Sequence, residues 1–260
     1  MVISEIFIIA AVSVFGASVG SFLNVCIYRI PASQSIAFPG SFCPVCKYSI
    51  PFYLNIPIFS YIILLGRCKN CNTAISIRYP IVETITAMFA AATFLKFGLT
   101  VEALFWFAFI SVLIVISFID IDLQIIPDIL SIPGIFIFAL SPLIVESMSL
   151  KDSLLGILFG GGSLYLVAVT YYFIRKDEGM GGGDIKLLAM IGAAIGWKGV
   201  AFTIFCSSLL GTLAGAFIMV ATKKADAKLR IPFGPYLAAA SVIYIFKGEA
   251  IINWYFGILS

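Results

Sequence analysis

The sequence contains no histidine at all among its 260 residues. That absence removes imidazole as general base, proton shuttle and metal ligand. Serine-protease triads, HExxH zinc peptidases and His-ligated redox centres are excluded with it. Charge is scarce as well. Asp, Glu, Lys and Arg make up 11% of the chain, where a soluble domain carries about 25%. Hydrophobic residues reach 62% and the mean hydropathy is +1.12. Length alone would suggest one or two soluble domains. This composition describes an all-α polytopic membrane protein instead. Acid–base chemistry must come from its 13 carboxylates, from Tyr, Lys or Cys, or from a cofactor.

A helix needs about 20 apolar residues to cross the hydrocarbon core of a bilayer. About eight stretches meet that requirement, near residues 3–28, 80–97, 101–121, 129–149, 154–174, 184–198, 199–221 and 232–258. The first has no basic n-region and no small-residue cleavage site, so a retained helix is expected rather than a removed signal peptide. Between the first two spans lies a long polar segment. It carries Arg29, Lys47, Arg67, Lys69 and Arg78 and no acidic residue. The positive-inside rule puts it in the cytoplasm and the N-terminus outside. Alternation then brings Arg175, Lys176, Lys186, Lys223, Lys224, Lys228 and Arg230 to the same side. Lys96, Lys151, Lys198 and Lys247 fall outside, so 12 of 16 basic residues are cytoplasmic. An even number of spans returns the C-terminus to the outside. Glycines recur in the later spans: Gly156, Gly160, Gly161, Gly162, Gly192, Gly196, and the GxxxG pair Gly211 and Gly215. Close helix packing is their expected role, because lipid offers no hydrophobic force between helices. No internal repeat or low-complexity segment stands out.

The polar segment holds two CxxC pairs, Cys43/Cys46 and Cys68/Cys71, with 21 residues between them (68 − 46 − 1). Two such knuckles predict one tetrahedral zinc held by four thiolates. A reducing cytoplasm argues against disulfides. Lys47, Arg67 and Lys69 stand beside the thiolates and offset their charge. A closed four-Cys site is structural, and it would fold a loop too small to hold itself by core burial. The apolar stretch from Ile50 to Leu65 contains Pro51, Asn55 and Pro57. A crossing there would also separate the two pairs by a membrane, so an interfacial or loop-packed element is expected. Cys26 and Cys206 lie alone in spans and are expected to pack as small apolar residues.

Acidic residues in spans are functional candidates by default. Asp120 and Asp122 end the third span, with Pro127-Asp128 beyond them. Gly179-Met180-Gly181-Gly182-Gly183-Asp184-Ile185-Lys186 opens the sixth. The topology carries both places to the cytoplasmic face. Asp120 and Asp184, 64 residues apart (184 − 120), thus reach one depth from different helices and suit an aspartic dyad. Two close carboxyls share one proton. The ionised one takes a proton from water, and the protonated one hydrogen-bonds the scissile carbonyl. Bare glycine backbone before Asp184 would let a substrate strand approach. Asp122 lies about 200° around the helix from Asp120 and cannot share its face. Asp128 is expected to cap the fourth span. Asp177 and Glu178 are expected to be solvated.

Taken together the motifs resemble the type IV prepilin peptidases over nearly the whole chain. Gly20-Ser21-Phe22-Leu23-Asn24-Val25 with Tyr28-Arg29-Ile30-Pro31 is similar to the family's N-terminal signature. The CxxC pairs follow, then Arg78-Tyr79-Pro80-Ile81-Val82-Glu83. Ile119-Asp120 through Pro127-Asp128 is similar to its first aspartate motif, and Gly181-Gly182-Gly183-Asp184 to its GxGD motif. Pro232-Phe233-Gly234-Pro235-Tyr236 matches a late motif. Departures are minor: Cys26 replaces an aliphatic residue, and Gly182 fills the variable GxGD position.

The resemblance implies an aspartic endopeptidase of a bacterial inner membrane, with Asp120 and Asp184 catalytic. It would cut the leader of a prepilin or pseudopilin after a glycine, at the cytoplasmic face. Proteolysis would need no cofactor. Many members that keep the four-cysteine loop also methylate the new N-terminus, so S-adenosylmethionine is implied as methyl donor, with Asn24, Arg29 and Arg78 as candidates for its site. The expected organisation is a first transmembrane helix over 1–28, a cytoplasmic four-cysteine loop associated with methyl transfer over 29–79, and a helical peptidase domain over 80–260. The expected partners are the substrate and the lipid bilayer, with no nucleic acid. Two rival readings remain. A small ion- or proton-coupled transporter would use the same carboxylates, but matching halves with broken helices are missing and the cysteines would have no role. A membrane scaffold built on the zinc loop would leave both aspartate motifs idle.

Overall fold

The computed structural model describes residues 2–176, 181–222 and 232–259. Asp177, Glu178, Gly179, Met180, Lys223, Lys224, Lys228 and Arg230, named above, lie outside these described residues. Among the described residues every element is helical apart from two isolated antiparallel bridges in the cysteine loop. The α-helices are α1 (Val2–Arg29), α2 (Phe59–Ile63), α3 (Arg78–Phe97), α4 (Val101–Leu123), α5 (Asp128–Phe138), α6 (Leu150–Arg175), α7 (Gly182–Thr222) and α8 (Gly234–Leu259). Single 3-10 turns occupy Phe52–Leu54 and Ser141–Leu143.

Six of the described helices, α1, α3, α4, α6, α7 and α8, are long and apolar enough to cross a membrane. The difference from about eight spans has two causes. The stretch expected as one span over 129–149 is interrupted. α5 has 11 residues, a rise of about 16 Å against a core of about 30 Å. Pro142 then helps to turn the chain through the Ser141–Leu143 3-10 turn. The stretches expected as spans 184–198 and 199–221 run on as one element of 41 residues, broken at Gly196. Gly196 takes φ 72° and ψ 176°, a conformation that glycine adopts without a Cβ penalty. The break interrupts the helical ladder near Ala193, whose carbonyl accepts hydrogen bonds from Ser141 Oγ at 3.0 Å and Ser153 Oγ at 2.9 Å. Gly196 thus serves a kink in addition to helix packing.

The chain divides into two compact units, Met1–Val115 and Ile116–Ser260. In the first, α1 packs on α3 through its small residues. A Cβ on Gly20 would sit 2.7 Å from the Glu83 backbone, and one on Gly16 would strike Ala90. Only glycine permits that approach, which brings Asn24 and Glu83 into one layer. In the second unit, α6 lies on α7 where Gly156 meets Gly192 backbone to backbone and Gly160 meets the Leu188 carbonyl. Placing a Cβ at either α6 position would overpack the contact by about 1–3 kcal/mol. The packing role expected for these glycines therefore holds at Gly156, Gly160 and Gly192. Gly162 faces open space, and Gly211 makes ordinary contacts with rings. α6 starts on a capping box: Ser149 Oγ accepts from the Asp152 amide at 3.1 Å, and the Asp152 carboxylate accepts from the Ser149 amide at 3.3 Å.

Candidate functional site

Asp120 lies in the last turn of α4 and is 5% exposed. A carboxylate so deep needs a donor. The backbone amide of Gly234 supplies it, 2.9 Å from Asp120 Oδ2. Gly234 is the first residue of α8, where backbone N–H groups have no partner within the helix. A Cβ there would lie 2.7 Å from the same oxygen, so the close approach requires glycine.

Asp184 is the third residue of α7 and is half-buried. It lies close enough to Asp120 to feel its charge. Gly183 helps to set this position. A Cβ there would be 2.8 Å from Ile126, so bare backbone lets the loop after α4 rest on the first turn of α7. Lys186, one turn-half further on, reaches Asp128 Oδ1 at 2.6 Å. Asp128 does not cap α5 as expected. Pro127 holds the N-cap position with no side-chain cap, and Asp128 is the first helical residue. Its carboxylate pairs with Lys186 instead and ties α5 to α7. Asp122 is exposed whereas Asp120 is buried, so the two do split between faces of α4. The Pro232–Tyr236 motif does not mark Gly234 for this role, because a backbone donor leaves no side-chain signal.

The four-cysteine loop is built from two matching turns offset by 25 residues (68 − 43). The amide of Cys43 donates to Tyr48 O and that of Lys47 to Cys43 O; the amide of Cys68 donates to Thr73 O and that of Asn72 to Cys68 O. Lys47 and Asn72 take φ of 58° and 55°. Bridges Phe42–Ser49 and Arg67–Ala74 close the two turns. The matching turns escape a sequence search because they share little beyond their cysteines. All four Sγ atoms lie within 4.8 Å of one another and can hold one metal ion. Cys43–Cys71 and Cys46–Cys68 are 3.8 and 3.9 Å apart. Four thiolates around a tetrahedral zinc, each bonded at about 2.3 Å, would be about 3.8 Å apart, so the donor set fits that ion. Hydrogen bonding with the Thr73 side chain and backbone favours the Cys71 thiolate and lowers its pKa to about 6, against an ordinary 9.0. The Tyr48 amide and the Asn70 side chain lower Cys46 in the same way. The stretch between the pairs is no span: its only α-helix, α2, has five residues. Lys47 lies 5.3 Å over the Phe42 ring and Lys69 5.7 Å over Tyr53.

Of the three candidates for a methyl-donor site, Asn24 and Arg29 line a cavity of about 420 Å³ in the first unit, and Arg78 is not in its wall. Asn24 is buried and donates to Tyr79 O at 3.1 Å. Arg29 is buried too, and its guanidinium is occupied by the carbonyls of Ser35, Pro39 and Gly40 at 2.9, 2.7 and 3.2 Å. Its role is to fold the loop that follows α1. Glu83 lines the same cavity and was given no role from sequence. An acidic residue inside an apolar span was the signal that would have found it.

Comparison with known proteins agrees with the motifs. The sequence profile described as "Bacterial Peptidase A24 N-terminal domain" matches residues 14–97, and that of the "Type IV leader peptidase family" matches residues 107–216. Proteins named prepilin leader peptidase/N-methyltransferase are similar over nearly their full length. The one from Pseudomonas aeruginosa is 36% identical, covering 92% of this chain and 90% of its own. The one from Legionella pneumophila is 34% identical over 96% and 95%, and the one from Neisseria gonorrhoeae 33% over 96% and 95%. No solved structure matches the chain. On this similarity, and on the two matched profiles, the chain belongs to the type IV leader peptidase family.

Proposed function

We propose that the protein is a multi-pass aspartic endopeptidase of a bacterial inner membrane that removes the leader from type IV prepilins or pseudopilins, and that it N-methylates the new N-terminus. The observation that carries the peptidase half is the placing of two carboxylates from different helices, Asp120 in the last turn of α4 and Asp184 in the first turn of α7, near enough for the charge of Asp120 to bear on Asp184. One carboxylate takes a proton from water as the oxygen attacks the peptide carbonyl. The other, protonated, hydrogen-bonds that carbonyl and later passes a proton to the leaving amine. Gly234 holds Asp120 in place through its amide. The exposed backbone at Gly181 and Gly182 gives a substrate strand room to lie beside Asp184.

The peptidase chemistry belongs to the helical stretch within residues 80–260. The loop over 29–79 is the part associated with methyl transfer and carries a structural zinc on Cys43, Cys46, Cys68 and Cys71. S-adenosylmethionine supplies an electrophilic methyl group on a sulfonium. The N-terminus lies outside, and the loop and both aspartates face the cytoplasm, where the substrate leader is presented. Family membership lends the transporter reading no support.

The test is incubation of the purified protein with a prepilin and labelled S-adenosylmethionine, with cleavage and labelling followed separately. Cleavage after the leader glycine, followed by label on the new N-terminus, is the expected result. An uncleaved substrate under conditions in which the protein is folded would overturn the peptidase assignment.

A further inference from the structure

The cavity in the first unit has an unusual wall. Glu83, on α3, is 7% exposed. Its Oε2 accepts the Ile58 amide at 2.7 Å. Among the described residues no cation pairs with it. The nearby guanidinium of Arg29 is taken up by backbone carbonyls. Buried carboxylates are normally matched by a positive charge, because hydrogen bonds alone do not offset their lost hydration. Glu83 faces a cavity of about 420 Å³ in which Tyr28 and Tyr79 are also part of the lining. That volume falls in the range of small-molecule sites, and tyrosine faces suit a cationic centre.

The backbone that holds Glu83 is strained. Ile58 takes φ 64° and ψ −52°, and the Phe59 amide turns back on Pro57 O at 2.6 Å. This is a left-handed γ-turn, rare for any residue and costly for a β-branched one. Strain of this kind persists where the surroundings over-determine it, and it clusters at ligand sites. Here it aims the Ile58 amide at Glu83 and keeps the carboxylate against the cavity.

We infer that this cavity is the methyl-donor site, with Glu83 as the counter-charge for the sulfonium of S-adenosylmethionine. The inference rests on the N-methyltransferase half of the proposed function. In the transfer, the lone pair of the neutral N-terminal amine forms a C–N bond to the methyl carbon as the C–S bond breaks. The bonding pair leaves on sulfur to give the neutral thioether, S-adenosylhomocysteine, and the new ammonium releases a proton to solvent. The sulfonium charge is therefore present in the donor and absent from the product. Glu83 would bind donor more tightly than product, which favours release after transfer.

The test is direct binding to the full-length protein in detergent, by calorimetry, with S-adenosylmethionine and S-adenosylhomocysteine as separate probes. Glu83→Gln keeps the shape and an acceptor for the Ile58 amide but removes the charge. It should weaken the sulfonium ligand about tenfold, some 1.4 kcal/mol, and the thioether by much less. Val25→Trp, a residue in the cavity wall, should block both ligands. Prepilin cleavage and metal content report that each variant is folded. If the wild type binds donor and methylates, yet both variants bind like wild type, the cavity assignment is overturned while methyl transfer stands. If the wild type cleaves but neither binds donor nor methylates, the methyltransferase half fails and the inference falls with it.

Discussion

The amide of Gly234 donates to Asp120 Oδ2 at 2.9 Å, joining residues 114 apart in sequence. The first turn of α8 thereby supplies a donor to a carboxylate that α4 buries. The partial positive charge of a helix N-terminus adds to that bond. Gly234→Ala places a Cβ 2.7 Å from the carboxylate oxygen, so either the side chain or α8 must shift. A displacement of about 1 Å at a catalytic group lowers rate by about 10²-fold. Prepilin cleavage by the alanine variant should fall by about that factor while the protein still inserts. Cleavage at the wild-type rate would show that the bond to Asp120 is dispensable.

Asp120→Asn and Asp184→Asn each remove an ionisable group from the pair without changing its shape. General acid–base groups contribute about 10²–10⁴ in rate, and in the proposed dyad each carboxyl needs the other. Both variants should lose cleavage by about 10³-fold or more in a gel-shift assay of leader removal. Asp122→Asn alters the exposed face of α4 and should stay within about threefold of wild type. An equal loss at Asp122 would reassign the catalytic pair.

Lys186 and Asp128 meet at 2.6 Å, with side-chain exposures of 37% and 58%. A pair so exposed adds about 0–1 kcal/mol to stability. Its use is positional: Lys186 is two residues from Asp184, and Asp128 opens α5. Lys186→Met and Asp128→Asn should each lower the cleavage rate several-fold with little change in thermal stability. The double variant should be no worse than either single, as expected for residues acting through one contact. Additive losses would show that the two act separately.

The sequence reads clearly where one residue type carries the physics. Apolar runs located α1, α3, α4, α6 and α8 closely, because a bilayer demands them. Asp120 and Asp184 stood out because a carboxylate in a span is expensive, and the cysteines because thiolate spacing is diagnostic. The shortness of α5 was hidden because hydropathy counts residues and ignores the turn at Ser141–Leu143. The kink at Gly196 was hidden among glycines that only pack, since composition does not reveal φ. The Asp128–Lys186 pair needs tertiary structure, because 58 residues separate its partners. Glu83 is legible by the same rule as Asp120, since it too is a carboxylate within an apolar span.

The sulfur positions make a prediction about metal. Cys43–Cys71 at 3.8 Å and Cys46–Cys68 at 3.9 Å match two of the six edges of a zinc tetrathiolate, and all four sulfurs lie within 4.8 Å of one another. The protein purified under reducing, chelator-free conditions should carry close to one zinc per chain by elemental analysis. Cys71→Ser removes a ligand whose thiolate form is favoured by its Thr73 hydrogen bonds. It should lower zinc content sharply and open residues within the 29–79 loop to limited proteolysis, since such a loop has too little core to hold its shape without the ion. Cys43 and Cys68 also line the cavity beside Glu83. Removing the metal with a strong chelator should therefore weaken S-adenosylhomocysteine binding as well. A metal-free protein with a protease-resistant loop would mean that the two turns fold through their backbone bonds alone, and the thiols would then need another explanation.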